Sequence, residues 1–222
     1  MNTANKTSRM LGVAFLLQFI TSFTNGVFLK PMWFVQGDMA ATMLKIAQSP
    51  QTMMIGILLD VATALGVIFL GVILYLVLRK QNEKMALTAL AFYILEGALL
   101  AASKLDAFSL LRLSQEYAAG RSADLLLAGQ LAYEAANFVG NTLHMLAFCP
   151  GAILFYFLLY KSGVVPRALS LWGLITVFPM LIGTLTQMFG YAIPFIFYVP
   201  YVPFEWVIGL WILIKGIPES NT

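Results

Sequence analysis

Six stretches of apolar residues divide the chain, near residues 10–28, 53–78, 85–111, 133–160, 168–189 and 198–215. A helix needs about 20 residues to cross the hydrocarbon of a bilayer, and the first five stretches meet that length outright. The sixth meets it only if it begins near Tyr198, where Pro200 and Pro203 mark a start. Their missing N–H groups cost nothing in a first helical turn. The pattern predicts an all-α, polytopic membrane bundle of about six transmembrane helices, a single integral-membrane domain over residues 1–222. Two of the polar connections look partly helical. Asp38 is placed to cap a short amphipathic segment that Pro50 ends. Residues 109–123 are polar enough to leave the membrane, with Asp124 as the cap of the next span.

The polar residues within the apolar stretches fall on few faces. In the fourth, Gln130, Glu134, Asn137, Asn141 and His144 follow spacings of four, three, four and three. At about 100° per residue they gather within roughly an 80° arc. The first stretch aligns Gln18, Thr21, Ser22 and Asn25, and the fifth aligns Thr176, Gly183 and Gln187. The second carries Gly56, Asp60, Thr63 and Ala64 on one face. The third aligns Glu96 with Ser103, flanked by Lys104 and Asp106, and the sixth holds Glu205. A polar side chain in hydrocarbon is costly unless it faces the bundle interior or water. Simpler roles compete for some of these residues. The small residues around Asp60 suit close helix packing. Glu205 after Pro203 suits the dipole of a first turn, and Lys104 can pair with Asp106 at a wet interface. Pro150 and Pro179 are each expected to kink a span, freeing the carbonyls of Leu146 and Ile175.

Basic residues near the span ends set the orientation. With the N-terminus inside, the inner side holds Lys6, Arg9, Arg79, Lys80, Lys84, Lys161, Arg167 and Lys215, against Lys30, Lys45, Arg112 and Arg121 outside. N-in, C-in is the expected topology. Lys6 and Arg9 before an apolar run also fit a secretory signal peptide, but Thr21 to Asn25 offers no small-x-small cleavage pattern, so a retained first helix is the better reading. On this topology the polar residues share a depth. They form one acidic-polar cup opening outward above an apolar inner half.

Composition agrees with the membrane reading. Hydrophobic residues make up 60% of the chain and charged residues 10%, against roughly a quarter charged in soluble domains. The net charge of +3 is scattered over helix ends and forms no basic stripe, which argues against nucleic acid as a partner. The lipid bilayer is the evident partner, a homo-oligomer is left open, and no cofactor is named. One cysteine, Cys149, excludes an intramolecular disulfide.

The candidate ligand-binding residues are therefore Glu134, Asn137, Asn141, His144, Glu96, Asp60, Gln18, Asn25 and Glu205. Asp60, Glu96, Asp106, Glu134 and Glu205 would face only Lys104 and His144. Five buried carboxylates cannot all stay ionised without compensation, so protons, a metal ion or a positive ligand must balance some of them. Binding or transport of a small cation, a proton-coupled solute or an amine-like ligand follows as the first expectation. The second is an intramembrane lipid-modifying enzyme with Glu134 or Glu96 as general base near His144. A single histidine gives no zinc cluster of the usual kind, and no Gly-x-Ser-x-Gly elbow is present. The third is an assembly or sensory subunit whose polar seam fixes helix register.

Several short motifs point to a family. Leu159-Tyr160-Lys161-Ser162-Gly163-Val164-Val165-Pro166-Arg167-Ala168-Leu169 is followed by Trp172-Gly173. The opening carries Arg9-Met10-Leu11-Gly12, and the ending carries Pro203-Phe204-Glu205 with Leu210-Trp211-Ile212-Leu213-Ile214-Lys215-Gly216. Together they resemble the domain-of-unknown-function 4386 family of bacterial membrane proteins over nearly the whole chain. The resemblance implies a six-helix protein of the bacterial cell (inner) membrane and supplies no activity. The central motif also has a physical role: Gly163 bends the turn between two spans and Pro166 starts the second.

Overall fold

A computed structural model describes residues 3–191 and 195–217. Among them the chain is predominantly helical, without strands. The first span is α1 (Thr3–Phe23), continued through a π-helical turn (Thr24–Leu29) into the short α2 (Lys30–Trp33). Next come α3 (Met39–Gln48), α4 (Pro50–Leu78) and α5 (Glu83–Gly120). A second π-helical turn (Phe138–Leu143) joins α6 (Ala123–Asn137) to α7 (His144–Ser162) in one span. The bundle finishes with α8 (Arg167–Met188), a 3₁₀ turn (Phe195–Phe197) and α9 (Tyr201–Lys215).

Five helical stretches are long and apolar enough to cross a membrane: Thr7–Trp33, Pro50–Leu78, Glu83–Gly120, Ala123–Ser162 and Arg167–Met188. Large apolar side chains such as Leu58, Leu65, Leu105, Ile175 and Ile182 are exposed on them. On a soluble surface so much exposed apolar area would be a liability; against lipid it is the expected face. The sixth helix falls short of the expected span because it starts late. The Trp172 indole, five residues beyond the start of α8, donates to the Pro200 carbonyl at 3.0 Å. That bond pins the start of α9 partway along α8, leaving a helix of 15 residues.

Local signals fix the ends. Asp38 caps α3 as expected, its carboxylate accepting from the Ala41 N–H at 2.8 Å. Ser122, not Asp124, caps α6, accepting from the Asp124 N–H at 3.2 Å. The polar residues 109–123 do not form a separate surface segment; α5 simply continues to Gly120. At 38 residues it rises about 57 Å, nearly twice the hydrocarbon thickness. Its far end packs with α3 and α4 through Met43, Ile46, Met53, Leu110, Leu111 and Tyr117. Gly163 sits at φ +65°, a left-handed position that closes α7 and costs glycine nothing. Pro150 and Pro179 both lie inside continuous helices.

In the ring of spans α1 lies between α4 and α9, α5 between α4 and α7, and α8 between α7 and α9. The end where α1 begins and α9 finishes is closed by one apolar core that includes Leu11, Phe15, Leu74, Phe155, Tyr156 and Ile212. Small residues allow the close approach there. A Cβ on Gly12 would lie 2.8 Å from the Leu213 backbone nitrogen, and one on Gly151 would lie 2.9 Å from Tyr93. Toward the α3 end the ring opens around a cavity.

Candidate functional site

The cavity has a volume of about 480 Å³ and takes side chains from every span. Its lining runs from Tyr93, Phe148 and Leu70, above the apolar core, to Lys30, Trp33 and Tyr133 at the α3 end. Two hydrogen-bonded groups cross it. In the first, Asp60 on α4 accepts from the Asn25 amide and from the Lys104 ammonium, both at 2.7 Å. This joins α1, α4 and α5 at one level. In the second, Glu205 on α9 accepts from the Gln18 amide at 2.7 Å and from the Tyr201 hydroxyl at 3.1 Å. Tyr201 in turn shares a 2.6 Å hydrogen bond with Tyr156, which is buried in the core. Between these levels Thr21 and Thr63 share a 2.7 Å bond.

Backbone features make room for these contacts. A Cβ on Gly56 would stand 2.6 Å from Asn25 Oδ1, so only glycine lets that amide lie against α4 and reach Asp60. Both π-helical turns line the cavity, one through Asn25 and Gly26, the other through Gly140 and Asn141. A π turn holds one residue more than an α turn and often marks a functional site. In the second, it also changes which residues face inward. Before it the cavity face holds Tyr133, Ala136 and Asn137; within it, Gly140 and Asn141; after it, His144, Met145 and Phe148.

Eight of the nine candidates line this cavity: Gln18, Asn25, Asp60, Glu96, Asn137, Asn141, His144 and Glu205. Glu134 does not. It follows Tyr133 by one residue, about 100° around the helix, and is exposed with Gln130, whose amide donates to it at 3.0 Å. Periodicity alone had placed both on the stripe; the π turn breaks the uniform phase that the spacing assumed. Gln187 is likewise exposed, outside the lining, and accepts from the Tyr198 hydroxyl at 3.4 Å. Lys104 pairs with Asp60 rather than Asp106, because its stem leads across to α4. Glu205 is not a first-turn residue, since α9 begins at Tyr201 and places it one turn in.

The charge balance differs from the expected five carboxylates facing Lys104 and His144. The lining holds three carboxyl groups, Asp60, Glu96 and Glu205, against two ammonium groups, Lys30 and Lys104. Lys30 had been counted as an orientation charge, and no periodic signal tied it to the polar faces. Its ammonium lies 5.4 Å over the Phe34 ring and 5.9 Å from the centre of Tyr133, favourable contacts for a cation. These rings stack at 5.2 Å. Trp33, also missed, points its indole into the same wall.

Four buried side-chain atoms on this lining have no hydrogen-bond partner among the described residues: Asn25 Oδ1, Trp33 Nε1, Glu96 Oε2 and His144 Nδ1. Glu96 is only 5% exposed. Buried polar atoms are nearly always paired, so four on one cavity wall form an unmet demand. Among the described residues no group of three or more His, Cys, Asp and Glu side chains could hold a metal ion. Cys149 is free and buried.

Residues 10–216 match the family described as domain of unknown function (DUF4386), and the chain belongs to that family. No match was found among the curated proteins or the solved structures.

Proposed function

We propose that this member of the DUF4386 family binds a small polar ligand with an amine or other cationic donor group inside the membrane bundle. The four unpartnered atoms on the cavity wall carry the proposal. Leaving a buried polar atom unpaired costs about 1–3 kcal/mol, and a ligand that meets several at once recovers that cost together. An ionised Glu96 can only accept hydrogen bonds, so a positively charged donor is the partner that best answers its unpaired Oε2. Asp60 is already matched by Lys104 and Glu205 accepts from Gln18 and Tyr201, which leaves Glu96 as the carboxylate that a ligand would answer. With the N-terminus in the cytoplasm of a bacterial cell, the cavity faces outward, as uptake or sensing of an external solute requires. Of the two general bases that the enzyme alternative offers, Glu134 lies off the cavity, while Glu96 and His144 both line it.

A thermal-shift screen of the purified protein across pH, alkali and divalent cations and small amines tests the reading. At least one condition should raise the melting temperature, and Glu96→Gln should remove the rise while leaving the unliganded protein folded. If no cation, amine or pH step moves the transition, the binding reading is lost.

A further inference from the structure

The two ends of the cavity make opposite demands. At the deep end Glu96 offers a buried carboxylate oxygen without a partner. At the α3 end Lys30 holds an ammonium that touches aromatic rings and makes no carboxylate ion pair among the described residues, beside the unpartnered Trp33 N–H. Between them Asp60 and Lys104 neutralise one another at 2.7 Å. One end lacks a cation, the other lacks an anion, and the middle is balanced.

The separation follows from helix geometry. Lys104 lies eight residues beyond Glu96 on α5, a rise of about 12 Å. Asn25 stands at the Asp60–Lys104 level through its bond to Asp60, and Lys30 and Trp33 follow five and eight residues further on. The long Lys30 and Glu96 side chains can each shorten the gap, so the two poles stand on the order of 10 Å apart or more.

We infer that the cavity reads an extended zwitterion, with an ammonium toward Glu96 and an anionic group toward Lys30 and Trp33; this deepens the binding reading above and depends on it. A three-residue peptide spans about 10 Å when extended, and its termini carry the two charges required. Compact zwitterions such as glycine cannot reach both poles. The amides of Asn25, Asn137 and Asn141 line the middle and suit a polar backbone between the charges.

The test uses trialanine, 8-aminooctanoate of similar length, N-acetyl-trialanine and trialanine amide on the full-length protein in nanodiscs, with affinity read by calorimetry. Trialanine should bind at least tenfold more tightly than either blocked form, and than propylamine or propionate alone, since linking two groups raises the effective concentration of the second. Binding of 8-aminooctanoate as well would mean that charge separation is what is read; binding of trialanine alone would mean that the peptide amides are read too. Either result supports the inference. Lys30→Gln should abolish the preference for trialanine over its amide, and Glu96→Gln the preference over the acetylated form. The wild-type comparison stands even if a variant misfolds. If propylamine binds as tightly as trialanine, the two-charge reading falls and amine binding survives. If none of the probes binds and no amine raises the melting temperature, both fall.

Discussion

Asp60 and Phe155 lie in halves of one bundle that hold their helices together by different means. Around Phe155, at the end where α1 begins and α9 finishes, contact is apolar and close, and glycines let backbones meet. Around Asp60, toward α3, the spans stand apart and polar side chains bridge them at 2.7 Å. Lipid supplies no hydrophobic push between helices, so the first half depends on packing and the second on geometry. The difference teaches where function can sit. A close-packed half has two settings, filled or broken, while a bridged half leaves bonds that a ligand can complete.

Four single substitutions and one double variant probe that contrast. Phe155 is fully buried, and Phe155→Ala should cost about 3 kcal/mol through lost packing, seen as a large fall in denaturation midpoint in micelles. In the bridged half Lys104→Met strands the Asp60 carboxylate. The pair keeps some solvent contact, with side chains 16% and 25% exposed, so the cost should be about 2 kcal/mol, below that of a fully buried pair. The double variant Asp60→Asn/Lys104→Met should recover much of it; no recovery would mean that the two act independently. Tyr156→Phe removes the 2.6 Å bond that links the halves, and a typical membrane hydrogen bond is worth about 0.6 kcal/mol. A much larger loss would show the tyrosine pair to be central rather than incidental. Glu134→Gln should lie within about 0.5 kcal/mol of wild type and leave any ligand-induced thermal shift unchanged; an altered shift would return Glu134 to the site.

The bundle and many of the polar residues on the cavity wall were legible in the sequence because both rest on regular repeats. Span length identified the helices, and the 3.6-residue phase found Gln18, Asn25, Asp60, Glu96 and His144 on inward faces. What failed did so where the repeat is interrupted or the partner is remote. The π turn after Asn137 rotated the face and removed Glu134. The Lys104–Asp60 pair joins residues 44 apart, and its register depends on how α4 meets α5, which no local pattern encodes. Lys30 looked like a topology signal, since a lysine near a span end has the same sequence signature whether it faces water or a cavity.

The short ninth helix bears on the surrounding lipid. Its 15 residues rise about 22 Å, beside an α8 of 22 residues that rises about 33 Å. Leu210, Leu213 and Ile214 are exposed along it, so acyl chains meet it directly. If α9 crosses a bilayer about 30 Å thick, the lipid along this flank would be expected to thin, and each ångström of mismatch costs a fraction of a kcal/mol. Acyl-chain length thus becomes a variable of this fold: shorter lipids should collect beside α9, and thinner bilayers should stabilise the start of the helix that carries Tyr201 and Glu205.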